Sequence, residues 1–161
     1  MDQQTAAVDR FLDALREATI PECDAWASDA VLDATVPHWR FHARGADAIR
    51  ATYRQWFADP GRFEELQRQP VPGGEVVRYV LAWTEDGVPH TAHHAHFLGV
   101  DGDRIVTDVV LCGGRWPAAL MAALSRSALG FDRRRRRRQP FRIFGDMRAH
   151  HRHVAGVIMR A

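Results

Sequence analysis

The sequence contains no lysine, so all of its 22 basic residues are arginines, a usage typical of a GC-rich genome. Only two cysteines occur, Cys23 and Cys112, and their wide separation favours reduced thiols in a cytoplasm over a disulfide framework or a zinc site. No segment approaches the roughly 18 consecutive apolar residues that a membrane-spanning helix needs, so we expect no membrane span. Residues 1–4 have neither a basic nor an apolar stretch, and we expect no secretion signal.

Charge is unevenly distributed along a chain whose composition, 46% hydrophobic and 26% charged, is typical of a soluble globular protein. Residues 131–161 contain ten arginines and two aspartates and therefore carry +8, whereas residues 1–130 contain twelve arginines and eighteen acids and carry −6. The 161 residues are enough for one ordinary domain and a short appendage. We expect a domain over 1–117, a helix over 118–130 and a basic tail over 131–161 that is disordered when free.

Two segments have the i, i+3, i+4, i+7 spacing of apolar residues that predicts amphipathic helices. The first covers residues 6–17, with Thr5 as its N-cap, and the second covers residues 46–58. A short helix is predicted over about 22–27, and the segment 38–45 is interpreted as a loop.

Alternation of apolar and polar residues predicts five strands, over residues 29–36, 62–70, 75–84, 89–100 and 104–112. Turn signals separate the last four strands, at Pro72-Gly73-Gly74, Asp86-Gly87 and Asp101-Gly102-Asp103. The pair Gly113-Gly114 is interpreted as a chain reversal that ends the sheet. Helices followed by a meander of long strands indicate an α+β fold class.

The order of these segments resembles the nuclear-transport-factor-2-like superfamily. The matching segments are a first helix, the strand Ala-Ser-Asp-Ala-Val-Leu-Asp, the helix Gly-Ala-Asp-Ala-Ile-Arg and a meander that closes with Asp-Gly-Asp-Arg-Ile-Val. The chain is most similar to the SnoaL-like branch, which includes polyketide cyclases, ketosteroid isomerases and limonene epoxide hydrolases. The resemblance covers residues 6–117. It implies a cone-like curved antiparallel sheet wrapped around helices, an apolar pocket and a homodimer.

The residues best suited to chemistry lie on the predicted strand 89–100. Because side chains alternate across a strand, His94 and His96 share one face, about 7 Å apart, and His93 lies on the other. Two imidazoles facing a pocket could act as general acid and general base near neutral pH. The alternative is that both histidines belong to the core or the sheet edge and have no reaction to perform.

Asp108 is the third catalytic candidate, on the predicted strand 104–112. SnoaL-like enzymes often carry a catalytic aspartate on this strand, a few residues after the isoleucine matched here by Ile105. Counting without gaps places that position at about Val110, so this sequence departs from the family pattern. A buried Asp108 beside a histidine would hold the imidazole in one tautomer and raise its basicity. The alternative is a surface or salt-bridged aspartate.

Five further residues are candidates for binding a substrate. Asp33 lies on the first strand, from which the family often presents a polar side chain to the pocket, although this face could equally be exposed. His38 and Trp39 lie in the predicted loop, which could cover the pocket mouth. Tyr53 and Trp56 lie on the apolar stripe of the second helix, which favours a core position over contact with a ligand.

A metal site is a rival interpretation, because His-x-His on a strand supplies two ligands and Asp33, Asp108, His38 or His42 could supply a third. The resemblance argues against it, since the family's pockets mostly work without metal, and we expect neither a metal nor a cofactor. The sequence thus predicts a small enzyme that acts on a small apolar molecule by His/Asp acid–base chemistry, as an isomerase, cyclase, dehydratase or hydrolase. The alternative is a non-catalytic binding domain for a small hydrophobic ligand.

The six consecutive arginines Arg133–Arg138 could bind nucleic acid or an anionic lipid surface, with an affinity that falls steeply as salt is added. No aromatic interleaving and no nucleic-acid-binding module accompanies them. We therefore favour a solvated appendage without a specific partner, or a wrongly assigned end of the gene.

Overall fold

The computed structural model describes residues 3–126, with side chains from residue 5 onward. Two helices, α1 over Gln3–Glu17 and α2 over Ala46–Trp56, accompany a short 3-10 turn over Ile20–Glu22. The six strands are β1 (Trp26–Val36), β2 (Trp39–Arg44), β3 (Gly61–Val71), β4 (Gly74–Glu85), β5 (Val88–Asp101) and β6 (Arg104–Pro117). Residues 118–126 are helical. The end of that predicted helix and the predicted basic tail over 131–161 lie outside the described residues.

The six strands form one sheet in the order β2-β1-β6-β5-β4-β3. All neighbouring strands are antiparallel except β1 and β6, which run parallel because the β3–β6 meander starts at the far edge and returns to β1. Register shifts interrupt three of the ladders, and such bulges bend strands and curve the sheet. The predicted α+β fold with a curved sheet wrapped around helices is confirmed, with one parallel pair in place of a wholly antiparallel sheet.

The inner face of the sheet packs on the two helices to form the core. The predicted apolar stripe of α1 is buried, and each of its side chains is at most 4% exposed: Val8, Phe11, Leu12 and Leu15. Burying each such side chain contributes about 1.5–3 kcal/mol, so this stripe holds α1 in the concave side of the sheet. From α2, the side chains of Ile49 and Tyr53 are completely buried. No helix among residues 3–126 is long and apolar enough to cross a membrane.

Two predictions near the first helix were wrong. Thr5 lies inside α1 and is not its N-cap, because the helix already begins at Gln3. The short helix predicted over 22–27 is a 3-10 turn at Ile20–Glu22, with Pro21 as its second residue, and the following residues extend into β1.

Two predicted irregular segments proved to be strands. The predicted loop 38–45 is β2, which pairs with β1 across a tight turn in which His38 has a φ of 68°. Gly113-Gly114 is no chain reversal, since β6 continues through both glycines to Pro117. In each case pairing with a long neighbouring strand supplies backbone hydrogen bonds that local sequence patterns do not show.

Candidate functional site

The His-rich strand β5 directs its histidines to opposite faces of the sheet. His94 and His96 lie on the inner face, with exposed fractions of 3% and 0%, whereas His93 is exposed on the outer face. Asp108 of β6 is also completely buried on the inner face. The structure therefore brings together the three residues predicted as catalytic, and puts them beneath the two helices.

Asp108 is the anchor of a hydrogen-bonded group that joins α2, β5 and β6. The hydroxyl of Tyr53 donates to Asp108 Oδ2 at 2.6 Å, and His96 Nδ1 lies 2.9 Å from Asp108 Oδ1. Charged acceptors make the stronger hydrogen bonds in a protein interior, so both contacts stabilise a carboxylate here. The ring of His96 is further held by Phe11, with 5.2 Å between centroids.

From His96 the hydrogen bonds continue toward the surface of the inner face. The hydroxyl of Tyr79 lies 3.2 Å from His96 Nε2 and 2.8 Å from His94 Nδ1. His94 Nε2 in turn lies 2.9 Å from the Sγ atom of Cys112, which also accepts the backbone N–H of Gly114 at 3.2 Å. We call the connected set the inner-face chain: Tyr53, Asp108, His96, Tyr79, His94 and Cys112.

The outer end of the inner-face chain opens on a cavity of about 500 Å³ between β1, β2, α2 and β6. Its walls include the aromatic side chains of Trp39, Phe41, Trp56 and Trp116. His94 and Cys112 are the members of the chain that line it. The volume lies within the 300–1,000 Å³ range of small-molecule pockets, and the aromatic walls suit an apolar ligand.

Polar groups at the cavity are few. Thr52 and Gln55 of α2 and Arg115 of β6 complete much of the lining. The guanidinium of Arg115 donates to Glu85 at 2.7 Å and lies over the ring of Trp83, so its charge is already paired. The cavity thus has polar groups on α2 and β6 as well as at its inner end, where His94 and Cys112 lie.

Burial shifts the pKa values of His94, Tyr53, Tyr79 and Cys112 in the direction that favours their neutral forms. It lowers the pKa of His94 from 6.5 to about 3, because desolvation and then the nearby His96 disfavour the imidazolium. Desolvation, followed by the charge of Asp108, raises the pKa of Tyr79 and of Tyr53 well above 10. Burial also raises the pKa of Cys112, against opposing contributions from the Gly114 N–H and Arg115.

The structure separates the predicted substrate-binding residues into two groups. Trp39 and Trp56 line the cavity, and Tyr53 lies behind it, bonded to Asp108. Asp33, in contrast, points to the outer face, where Arg40 donates to both carboxylate oxygens, and His38 is an exposed turn residue. Neither lines the cavity, because the strand alternation of β1 and its tight turn direct them away.

The rival metal interpretation required a third ligand near His94 and His96. Of the four candidates, Asp108 lies 2.9 Å from His96. The other three, Asp33, His38 and His42, lie elsewhere, with His42 Nε2 3.4 Å from the outer-face carboxylate of Asp33. Within residues 3–126, no three His, Cys, Asp or Glu side chains are grouped so that they could hold a metal ion.

Sequence reasoning missed Tyr79, Cys112, Arg115 and Trp116. Tyr79 is opposite His94 across the β4–β5 pair, and Cys112 is opposite His94 across β5–β6. The signal for Tyr79 was present, since the tight turn at Asp86-Gly87 sets this register. Trp116 and Arg115 were missed because β6 was predicted to end before them.

Comparisons with solved structures show which fold this arrangement belongs to. A nuclear-transport-factor-2-like protein from Anabaena variabilis matches with a TM-score of 0.58 and 13% identity, over 67% of this chain and 84% of that one. A protein assigned as a SnoaL-like polyketide cyclase from Shewanella putrefaciens matches with a TM-score of 0.56 and 13% identity, over 70% and 80% of the two chains. An LEH-like epoxide hydrolase from M. tuberculosis matches with a TM-score of 0.54 and 16% identity, over 68% and 82%.

The chain therefore has the nuclear-transport-factor-2-like fold. Its structural neighbours include SnoaL-like and isomerase-type proteins, which confirms the predicted resemblance at the level of the fold. No protein-family model and no curated protein matches the sequence.

Proposed function

We propose that the protein is a small-molecule enzyme of the SnoaL-like type, which uses His/Asp acid–base chemistry on an apolar substrate. The observation that carries this proposal is the unbroken inner-face chain, which connects the buried carboxylate of Asp108 to His94 and Cys112 in the cavity wall. A purely apolar core would avoid the desolvation cost of these side chains, since every buried polar group costs free energy unless it is hydrogen-bonded. Such a network beneath a cavity supports a chemical role.

The aromatic walls determine what the cavity would accept. A small apolar molecule would replace water against Trp39, Phe41 and Trp56, and its polar atom would face His94 and Cys112. Excluding water there strengthens each electrostatic contact between the substrate and the chain. Removal and return of a proton next to a carbonyl, or beside an epoxide or hydroxyl oxygen, are reactions that this arrangement suits.

The base strength in this site would come from Asp108 and not from His94 alone. Because burial lowers the pKa of His94 to about 3, His94 is a poor acceptor of an isolated proton at pH 7. The carboxylate of Asp108, which is connected to His94 through the inner-face chain, can offset the positive charge that the substrate's proton brings. Structural neighbours assigned as a polyketide cyclase and as an epoxide hydrolase support isomerisation, cyclisation, dehydration or hydration as the reaction types.

The test is turnover of a panel of small apolar ketones, lactones and epoxides by the full-length protein. Wild type is compared with Asp108→Asn, which removes the carboxylate, and with Asp29→Asn, an exposed carboxylate on β1 as the matched control. We expect turnover of at least one class, a loss of about 100-fold or more in Asp108→Asn, and no change in Asp29→Asn. Binding without turnover would replace the proposal with the non-catalytic binding domain, and equal turnover in Asp108→Asn would contradict it.

We further propose a homodimer. The outer face of the β5–β6 pair exposes Phe97, Val109 and Leu111 by 46%, 38% and 47%, and exposed apolar groups of this kind often mark contact surfaces. Light scattering on the full chain should give twice the chain mass, and Leu111→Glu should shift it toward the monomer. A monomeric wild type would contradict this proposal.

The domain division and the location are retained as proposals. The domain is taken as residues 1–117, the helix as 118–130 and the basic tail as 131–161. A reducing cytoplasm agrees with two free thiols, at Cys23 and Cys112. Limited proteolysis that cleaves first within 131–161, and full reactivity of two thiols under denaturing conditions, would support both.

A further inference from the structure

The donors and acceptors of the inner-face chain can be assigned from its buried end. Asp108 as a carboxylate can only accept hydrogen bonds, and one of its oxygens already accepts from Tyr53. The contact between Asp108 Oδ1 and His96 Nδ1 therefore requires the proton to lie on His96 Nδ1. A neutral His96 then has only a lone pair at Nε2, which must accept from the hydroxyl of Tyr79.

The same elimination continues through Tyr79, which has a single hydroxyl proton. Since that proton is donated to His96, the 2.8 Å contact with His94 requires His94 Nδ1 to donate to the phenol oxygen. His94 Nε2 is then an acceptor, and Cys112 at 2.9 Å supplies the thiol proton. Every hydrogen bond from the cavity wall to the carboxylate thus runs in one direction.

We propose that Tyr79 is a positioning residue that relays a proton between His94 and His96, so that Asp108 serves as the base for a substrate that it does not touch. This inference rests on the proposed function and deepens it. Without the phenol, the two imidazoles have no common hydrogen-bonding partner, because the inner-face chain connects them only through the Tyr79 oxygen.

The relay moves one proton across each contact and leaves every intermediate group neutral. The substrate's proton binds to Cys112 Sγ as the thiol proton moves to His94 Nε2. In the same concerted shift the Nδ1 proton of His94 moves to Tyr79, the Tyr79 proton moves to His96 Nε2, and the Nδ1 proton of His96 moves to Asp108. The substrate becomes an anion and the carboxylate becomes a carboxylic acid, so total charge is conserved. Reversal returns the proton to the product.

The surroundings of Tyr79 suit this role. Its ring is stacked on His96 with 5.4 Å between centroids, and Phe63 contacts its edge at 5.2 Å, so the hydroxyl is held in place by packing. Burial and the charge of Asp108 raise its pKa well above 10, which keeps it a phenol that can both donate and accept. The low pKa of His94 agrees with a transfer that never forms a lasting imidazolium.

The test compares Tyr79→Phe with Tyr53→Phe in the full-length protein. Both substitutions remove one buried hydroxyl and keep the ring, but only Tyr79 connects the two histidines, so Tyr53→Phe is the matched variant. Long-range nitrogen–proton NMR reports which imidazole nitrogen carries the proton. Wild type and Tyr53→Phe should show His94 and His96 protonated at Nδ1, whereas in Tyr79→Phe the proton of His94 should move to Nε2, because a buried Nδ1–H would have no partner.

Turnover is the second readout. Tyr79→Phe should lower kcat about 100-fold with an unchanged KM, because the phenol lies behind the wall that contacts the substrate. A wild-type His94 protonated at Nε2, or an unchanged kcat in Tyr79→Phe, would overturn the relay while leaving the enzyme proposal in place. Absence of turnover with the whole panel would overturn both, whatever the tautomers are.

Discussion

The two faces of β5 place histidines in opposite environments, one buried and one exposed to solvent. On the inner face, His94 and His96 are almost completely enclosed and every ring nitrogen has a polar partner. One residue away, His93 is exposed on the outer face, the face that also carries the half-exposed Phe97. An exposed imidazole can rely on water, whereas an enclosed one must find its hydrogen bonds within the protein.

This difference indicates where function can be sought in a strand with four histidines. The inner-face histidines are bound to Tyr79, Cys112 and Asp108, which come from neighbouring strands, so their geometry depends on the whole sheet. The outer face has no comparable network around His93 among the described hydrogen bonds. A substitution on the inner face should therefore affect stability and chemistry together, and one on the outer face should affect neither strongly.

Removing a carboxylate from each face should give the largest contrast. Asp108→Ala leaves the donors of Tyr53 and His96 buried without an acceptor, and we expect the free energy of unfolding to fall by about 3–5 kcal/mol. Asp33→Ala breaks an ion pair with Arg40 at the surface and should cost far less, because solvent screens such pairs. Urea denaturation of both variants measures the difference. Equal losses of unfolding free energy in the two variants would mean that the buried network stabilises the fold no more than the surface ion pair does.

Substituting each of the adjacent histidines should separate the faces in activity. His94→Gln removes the imidazole that lines the cavity, and we expect turnover of a panel substrate to fall by about 100-fold. His93→Gln alters the outer face alone and should leave turnover unchanged. Steady-state kinetics on both variants is the measurement, and a larger loss in His93→Gln would reverse the assignment of the faces.

The burial of His94 should also make the free energy of unfolding depend on pH. We expect this effect to be smaller than those of the substitutions above. The pKa of His94 is about 3 in the folded protein and 6.5 when solvated, so the unfolded chain binds the extra proton between these values. Stability should therefore fall as the pH is lowered below 6.5, by up to about 1.4 kcal/mol per pH unit from this group. Denaturation at several pH values measures the slope. His94→Gln should remove this part of it, and an unchanged slope would contradict the buried neutral imidazole.

The face on which the β5 histidines lie could be predicted from the sequence. The face on which Asp108 lies could not, because a local irregularity shifts the register of β6. Alternation was enough to put His94 and His96 on one face. From the tight turn at Asp101–Arg104, however, an unbroken register would put Asp108 opposite Phe97 on the outer face. A bulge between Gly99 and Val100 shifts the pairing so that Asp108 is opposite Leu98 on the inner face.

Gly99 was the only local signal for that bulge. A Cβ atom at this position would lie 2.3 Å from Thr107 Oγ1, so a larger residue here would require the Thr107 side chain to move. A glycine within a strand pattern is compatible with several irregularities, which is why the sequence alone left open the face on which Asp108 lies. The cavity walls were less predictable still, because Phe41 and Trp116 belong to strand segments that only pairing with β1 and β5 creates.

The most direct test of a working inner face is NMR of the His94 ring as pH and ligand are varied, with the signal assigned through His94→Gln. We predict that the His94 resonances stay those of a neutral imidazole between about pH 8 and 5, and that they shift when a panel compound enters the cavity. A His94 that titrates near 6.5 and ignores every ligand would contradict the account, since it would be neither enclosed nor part of a site.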